Sequence, residues 1–383
     1  MVRDPRLIGA ALPDWAWPGG PVAPSPGVSF VGPWSWRAPG TEGGLRLAVK
    51  ENIALAGRPL RAGSPPRAAL APEPASAPVV ATLVAAGAAI TGTVRMHELA
   101  FGVTGRNDRD GTVGNPAAPG RLPGGSSSGS AAAVALGEAD VALATDTGGS
   151  ARIPAALCGV VGVKAGRAVG TAGVLPLAPS LDHLGWIARD VTTARWAASA
   201  LGLAPVDLPR PRLAVVRESM AAADPAVSDA VAAALAGYDV REVSWPYLDL
   251  VLAVTTTVMS AEAARRYDPA GFGADVRSRL VLGTTVTAEQ YVAAVRIGGW
   301  LTEQWRAVAD GFDVVAAPTC GITAPAPDEP LDTADLTRVT RLDDLTGWPA
   351  VSVPVPAPGH PVGLHLSARS EGVALAAAAA LAG

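Results

Sequence analysis

The sequence predicts an α/β fold, a central mixed sheet flanked by helices, and three observations carry that expectation. Short apolar runs alternate with helix-like segments through residues 45–164, the order expected of strands joined by crossover helices. Turns rich in Gly and Ser separate these segments. Late in the chain, residues 313–317, 350–355 and 362–366 return as strand-like runs that can rejoin the same sheet.

The elements follow in order. Residues 1–43 are rich in Pro, Gly and Trp with little periodicity, and predict an irregular arm lying over a body. Residues 45–49 form a mostly apolar run closed by Lys50, a strand. A helix is expected over 77–88 and a strand over 89–91, then a loop over 102–125 with turn signals at Asn115-Pro116 and Pro123-Gly124. The cluster Gly124-Gly125-Ser126-Ser127-Ser128-Gly129-Ser130 runs into the Ala-rich stretch 131–136, a loop feeding a helix N-terminus. Residues 141–144 read as a strand, Thr147-Gly148-Gly149-Ser150 as a second turn, then a short helix broken at Pro154 and a strand over 159–163. Residues 204–310 are more helical, most clearly over 287–310. There Thr287 and Gln290 fit a capping box, and Tyr291, Val295, Gly298/Gly299, Leu301/Thr302 and Trp305 fall on one stripe. With no internal repeat and no linker, residues 1–383 are expected to form one domain: the arm 1–43, a core over 45–190, a helical layer over 204–310 and a return to the core over 313–383.

Composition narrows the function classes. The 383 residues are 49% hydrophobic and only 17% charged, against about 25% charged in an average soluble domain. The 43 Gly and 35 Pro are about a fifth of the chain, below the roughly 25–30% that signals disorder. A net charge of −4 argues against nucleic acid as a partner, because a phosphate-binding face needs surplus Lys and Arg. Two cysteines, Cys158 and Cys320, make no disulfide framework. The first residues lead into no apolar run, so no secretory signal is expected. The stretches 131–144, interrupted by Glu138 and Asp140, and 373–382 are the most apolar, and both fall short of the roughly 20 residues that span a bilayer. The expectation is a soluble, cytoplasmic protein with no membrane partner.

Two features point to chemistry. Of the 30 basic residues only Lys50 and Lys164 are lysines. A lysine kept in so Arg-biased a chain suggests a need that Arg cannot meet, a proton that can be lost. Lys50 closes an apolar strand in Leu-Ala-Val-Lys-Glu-Asn, where desolvation lowers its pKa. The second feature is a pair of serines, Ser126 and Ser150, each in a Gly-flanked turn ahead of a helix. In Thr147-Gly148-Gly149-Ser150 the glycines leave consecutive backbone N–H groups unshielded, the way an oxyanion site is built.

Together, Gly124 to Ala133, Ala144-Thr145-Asp146-Thr147-Gly148-Gly149-Ser150-Ala151-Arg152-Ile153-Pro154 and Cys158-Gly159-Val160-Val161-Gly162-Val163-Lys164 resemble the amidase signature. Ala48-Val49-Lys50-Glu51-Asn52-Ile53 resembles that family's lysine motif. Met96-His97-Glu98-Leu99-Ala100, Ser180-Leu181-Asp182-His183-Leu184-Gly185, Leu345-Thr346-Gly347-Trp348-Pro349-Ala350 and Gly363-Leu364-His365-Leu366 also fit. The match is dense over 45–190 and loose over 313–382. Departures are Ser128 in place of a second Gly, Glu51 in place of Asp, Ala165 in place of Pro, and a short 204–310 region.

The resemblance implies a Ser–cis-Ser–Lys triad with Ser150 as nucleophile, Ser126 as bridging serine after a cis peptide from Gly125, and Lys50 as base. It implies oxyanion N–H groups at Thr147, Gly148, Gly149 and Ser150, supports at Ser127 and Asp146, and a structural or substrate-facing cation at Arg152. It implies a cofactor-free, metal-free amidase in which residues 204–310 cover the acyl pocket, acting on a small-molecule amide as a monomer or homodimer. Thr104-Gly105-Arg106-Asn107 and Asp182-His183-Leu184-Gly185-Trp186-Ile187-Ala188-Arg189-Asp190 look most like short indole-3-acetamide hydrolases, which implies an aryl-acetamide substrate. The same family includes the glutaminase-type subunit of tRNA-dependent amidotransferases, the alternative function.

Other readings are weaker. Gly125-Ser126-Ser127-Ser128-Gly129 fits Gly-x-Ser-x-Gly, with Ser127 as nucleophile and His183 or His365 as base, but Arg121-Leu122-Pro123 is a poor strand to precede an elbow. His97-Glu98 lacks the second His of a zinc motif, and Lys164 is followed by Ala165 rather than a Walker Ser or Thr. Neither cysteine has a histidine nearby in sequence, and the tryptophans read as core.

Overall fold

The computed structural model describes residues 21–22, 27–40 and 43–382. The expected arm therefore lies mostly outside the described residues. Eleven strands form one sheet: β1 (Trp34–Arg37), β2 (Leu45–Lys50), β3 (Ala88–Val94), β4 (Val141–Asp146), β5 (Val161–Lys164), β6 (His183–Ala188), β7 (Leu213–Val216), β8 (Val240–Val243), β9 (Val314–Pro318), β10 (Ala350–Val355) and β11 (Val362–Ala368). Their spatial order is β8-β7-β9-β11-β10-β5-β6-β4-β2-β3-β1. Pairing is parallel for β7 with β8 and β9 and for β2 with β3 and β4, and antiparallel elsewhere. The fold is thus the mixed α/β sheet that the alternating apolar runs predict.

Side-chain alternation sets the layers. Leu47 and Val49 of β2 and Leu143 of β4 join the larger core on one face, with Trp186, Val351 and Leu366. Ala48, Ala142 and Ala144 point to the opposite face and pack on Ala131, Ala133 and Val134 of the helix Ser128–Ala135. Small side chains on both partners let this helix sit close to the sheet. Lys50, two positions after Ala48, is carried to that same crowded face and is fully buried.

Several local expectations are corrected. Pro154 does not break its helix, which runs Arg152–Cys158. Pro154 stands third in it, where its missing N–H is one of the unpaired donors of the first turn. Residues 204–310 are not only helical: β7 and β8 join the sheet edge, four residues each and too short to register as periodicity. Trp34–Arg37, inside the expected irregular arm, is the strand at the other edge. In the helix Ala288–Val308 the capping box of Thr287 and Gln290 forms. The buried stripe there is Ala294, Ile297, Gly298, Leu301 and Trp305, while Val295 is 47% exposed. Among the described residues no helix is long and apolar enough to cross a membrane.

Candidate active site

The site forms where β2 and β4 end side by side under two turns. Lys50 Nζ donates to Ser126 Oγ and to Thr145 Oγ1, each at 2.8 Å, and Asn52 Nδ2 donates to the same threonine at 3.1 Å. Burial pulls the Lys50 amine down to about 7, with Asp146 and Asp182 opposing the shift. The amine faces two hydroxyls rather than a bonded carboxylate, so it exchanges its proton near neutral pH.

Ser126 follows a cis peptide from Gly125. Both residues are held by backbone: the Gly125 N–H donates to Val103 O at 2.7 Å, and Ser126 O accepts from the His97 N–H at 3.0 Å. Ser127 is fully buried and stands just before the helix Ser128–Ala135, its Oγ donating not to the helix end but to Thr145 O at 3.4 Å.

Asp146 organises the second turn. Its carboxylate accepts from the Gly149 N–H at 2.6 Å and the Ala151 N–H at 3.0 Å, closing the loop that presents Ser150. Gly149 takes φ +117°, and a side chain there would strike Thr340 Oγ1 at 2.4 Å, so only glycine fits. Thr147 is fixed by donating to Asp182 at 2.7 Å. The Ser150 carbonyl accepts from the Ser127 N–H at 3.2 Å and so ties the two serine turns together. Among the described residues, no direct hydrogen bond joins the Ser126 and Ser150 hydroxyls, and it is the backbone link that holds the turns in register.

Arg152 is not substrate-facing. Its side chain is fully buried, with two nitrogens on Asp146 at 2.9 and 3.0 Å, one on Asp343 at 2.9 Å and one on Asp344 at 3.1 Å. Asp343 also accepts from His365 at 2.7 Å and from Ser367. Asp146 and Asp343 are held below the usual carboxylate range by their cationic neighbours, against the pull of burial. Burial and Asp146 push Asp344 well above that range. Lys164 is also buried and donates to Trp348 O at 2.8 Å, its amine lowered by burial to about 8.

Sequence reading names Arg152 and Asp146 but misses Asp343 and Asp344 as the further partners of Arg152, and misses Thr145 and Asp182 as the partners of Lys50 and Thr147. Thr145 and Asp182 lie inside the quoted motifs. The Asp343-Asp344 pair stands just before the motif that begins at Leu345, and its partner is about half the chain away.

Ser150, Thr147 and Gly148 line a small pocket with Phe101, Met259, Arg279, Thr333 and Arg341. The last five residues also line a cavity of about 500 Å³. Thr256, Met259, Ser260, residues 273–276, Ser278 and Arg279 supply one wall, so the 204–310 region does border the cavity. The elbow reading of Ser127 fails on geometry. No strand leads directly into it, residues 114–127 holding none, His183 Nδ1 contacts Leu181 O at 2.7 Å, and His365 is committed to Asp343.

The family model described as Amidase matches residues 43–372, and the chain belongs to that family of amide-hydrolysing enzymes. It is 36% identical to a Glutamyl-tRNA(Gln) amidotransferase subunit of Thermus thermophilus, covering 85% of this chain and 81% of that protein. It is 32% identical to the protein of the same name from Methanothermobacter thermautotrophicus, with coverage of 76% and 73%. A crystal structure described as an amidase superposes with a TM-score of 0.80 at 33% identity, covering 88% of this chain and 84% of that one. The like-named amidotransferase protein from Thermotoga maritima gives 0.78 at 29% identity, covering 91% and 86%. The relatives found are thus amidotransferase subunits and amidases rather than indole-3-acetamide hydrolases in particular.

Proposed function

We propose that this chain, folded as a single domain, hydrolyses a small, polar carboxylic amide to acid and ammonia or amine through an acyl-enzyme on Ser150. The observation that carries the reading is the Lys50 Nζ–Ser126 Oγ hydrogen bond of 2.8 Å from a fully buried amine titrating near 7. Neutral Lys50 accepts the Ser126 proton while Ser126 accepts that of Ser150. Ser150 Oγ bonds the amide carbon, and the electron pair moves onto the carbonyl oxygen. The N–H groups of Thr147, Gly148 and Ser150 receive that charge; the Gly149 N–H, which the sequence also offers for this, is instead given to Asp146 at 2.6 Å and shapes the turn. The proton returns through Ser126 to the nitrogen, the C–N bond breaks, and water then cleaves the ester by the same relay in reverse. The Ser126–Ser150 contact closes when substrate binds, as catalytic hydrogen bonds often tighten only in the complex.

Ser127 and Asp146 act by holding the two turns, and Arg152 by holding Asp146. Among the described residues, Phe101 is the one Phe, Tyr or Trp on the cavity wall, beside four arginines, which favours a polar acyl group over an aryl-acetamide. The likeness to amidotransferase proteins supports a second reading, a glutaminase-type amidotransferase component, whose glutaminase activity would respond to a partner.

The test is labelling with a fluorophosphonate probe. Wild type is expected to take up one equivalent at Ser150, and Ser150→Ala none; persistent labelling of Ser150→Ala would remove Ser150 from the nucleophile's place. Glutamine hydrolysis that appears only with a partner would favour the second reading.

A further inference from the structure

Among the described residues, the cavity beside Ser150 holds a cation with no carboxylate in ion-pair contact, Asp344 acting on it only from farther away. Arg341 Nη1 reaches only the hydroxyls of Thr255 at 3.3 Å and Thr256 at 3.2 Å, and its buried Nε has no partner. Neighbouring arginines on the wall are committed. Arg279 pairs with Asp275 at 3.1 Å, and Arg109 reaches Glu98 at 3.4 Å and Gly271 O at 2.9 Å. Enclosure draws the Arg341 guanidinium down to about 10, so it stays charged at neutral pH. A charged group taken out of water with spare donors is costly unless an anion meets it. The guanidinium also lies on the oxyanion turn: a Cβ on Gly148 would stand 3.3 Å from Arg341 Nε and 3.5 Å from Cζ. An anion seated there is a near neighbour of a carbonyl presented to Ser150.

We propose that Arg341 seats a carboxylate carried by the acyl part of the substrate, so that the substrate is the monoamide of a short dicarboxylic acid, of the succinamate kind. This rests on Ser150 as the acyl-forming residue. The planar guanidinium suits a carboxylate, and its contact with Gly148 keeps the spacer short. Of the carboxylates on and beside the wall, the exposed Asp108 alone is left for an α-ammonium. Glu98 already accepts from Ser64 and the Gly273 N–H, Asp275 from Arg279 while it contacts His97, and Asp182 from Thr147 and two backbone N–H groups. Succinamate needs no partner for an ammonium and is therefore preferred over glutamine, whose ammonium would have only the exposed Asp108.

The experiment compares succinamate with butyramide, its neutral counterpart of equal length, and measures succinate binding to the full chain by isothermal titration. Wild type is expected to favour succinamate in kcat/KM by about 100-fold, as a charged hydrogen-bond pair allows. Arg341→Gln is expected to lose about 100-fold on succinamate and less than about 3-fold on butyramide, with succinate binding lost and Arg341→Lys intermediate. Equal rates on the two amides in wild type, or succinate binding that Arg341→Gln leaves unchanged, would each overturn the carboxylate seat, and a preference for glutamine over succinamate would overturn the simple dicarboxylic monoamide as the substrate. Fluorophosphonate labelling of Ser150 would still stand in those cases. Its absence would instead overturn the acyl-enzyme reading and this substrate with it.

Discussion

Lys50→Met is expected to lower kcat/KM at neutral pH by about 10³–10⁴-fold, the upper range for a general base, while making the folded protein more stable. Both effects come from one observation. The Lys50 amine is fully buried and titrates near 7 instead of its ordinary 10.5. Its neutral form relays the Ser126 proton, so wild-type kcat/KM should rise with pH through about 7 and level above it. A profile flat from about pH 5 to pH 9 would contradict a lysine base. The same shift sets the stability. Between about 7 and 10.5 the unfolded chain holds a proton on Lys50 that the folded chain has released, so wild-type stability rises with pH across that window. Below it both states are protonated, and the cost of the buried charge stays at its full value. Methionine carries no such cost. The variant's advantage, about 1–3 kcal/mol after the lost hydrogen bonds to Ser126 and Thr145 are set against it, is largest below about pH 7 and shrinks toward pH 10. Thermal melts across this range measure it, and a variant less stable than wild type at pH 6 would show that the amine's hydrogen bonds outweigh its desolvation.

What the sequence discloses here is what short segments encode. Lys50 is legible because it ends an apolar strand in a chain nearly free of lysine, and Ser126 and Ser150 because glycine turns precede helices. β2, β4 and β10 are legible for the same reason: runs of four to six mostly apolar or small residues bounded by turns. The rest depends on tertiary placement. β7 and β8 carry four residues each and become strands only because β9 offers them an edge. Trp34–Arg37 sits in a Pro- and Gly-rich stretch whose composition hides a strand that only β3 completes. Arg152 invites two readings in sequence. Burial decides between them, because its carboxylate partners come from both its own turn and the distant helix Thr340–Thr346. Arg341 leaves no mark in sequence, one arginine among 28; its lack of a carboxylate in ion-pair contact becomes visible only with the cavity.

Arg152→Met carries the largest expected loss of stability. One guanidinium joins Asp146, which shapes the Ser150 turn, to Asp343 and Asp344 of the helix Thr340–Thr346, and all four side chains are buried. Methionine fills similar space but leaves the carboxylates without their cation, at a cost of about 3–5 kcal/mol. In wild type, Asp146 and Asp343 lie below their usual range. Their contribution is therefore present above the unfolded carboxylate pKa of about 3.9 and lost as pH falls below it. In the variant burial acts unopposed by Arg152 and raises these groups. The folded state then binds protons more tightly than the unfolded one, and stability falls as pH rises from about 4 toward neutrality. The variant's deficit should accordingly be larger at pH 7 than at pH 5, measured by urea unfolding at each. Adding Asp343→Asn should recover part of it at pH 7 by removing one buried charge, and a deficit independent of pH would show that packing, not charge, is what Arg152 contributes. Activity should fall further than stability accounts for, even where the variant is fully folded. Asp146 then holds the Gly149 and Ala151 N–H groups without the guanidinium that fixes its own plane, and a displacement of about 1 Å at Ser150 is enough to cost about 100-fold.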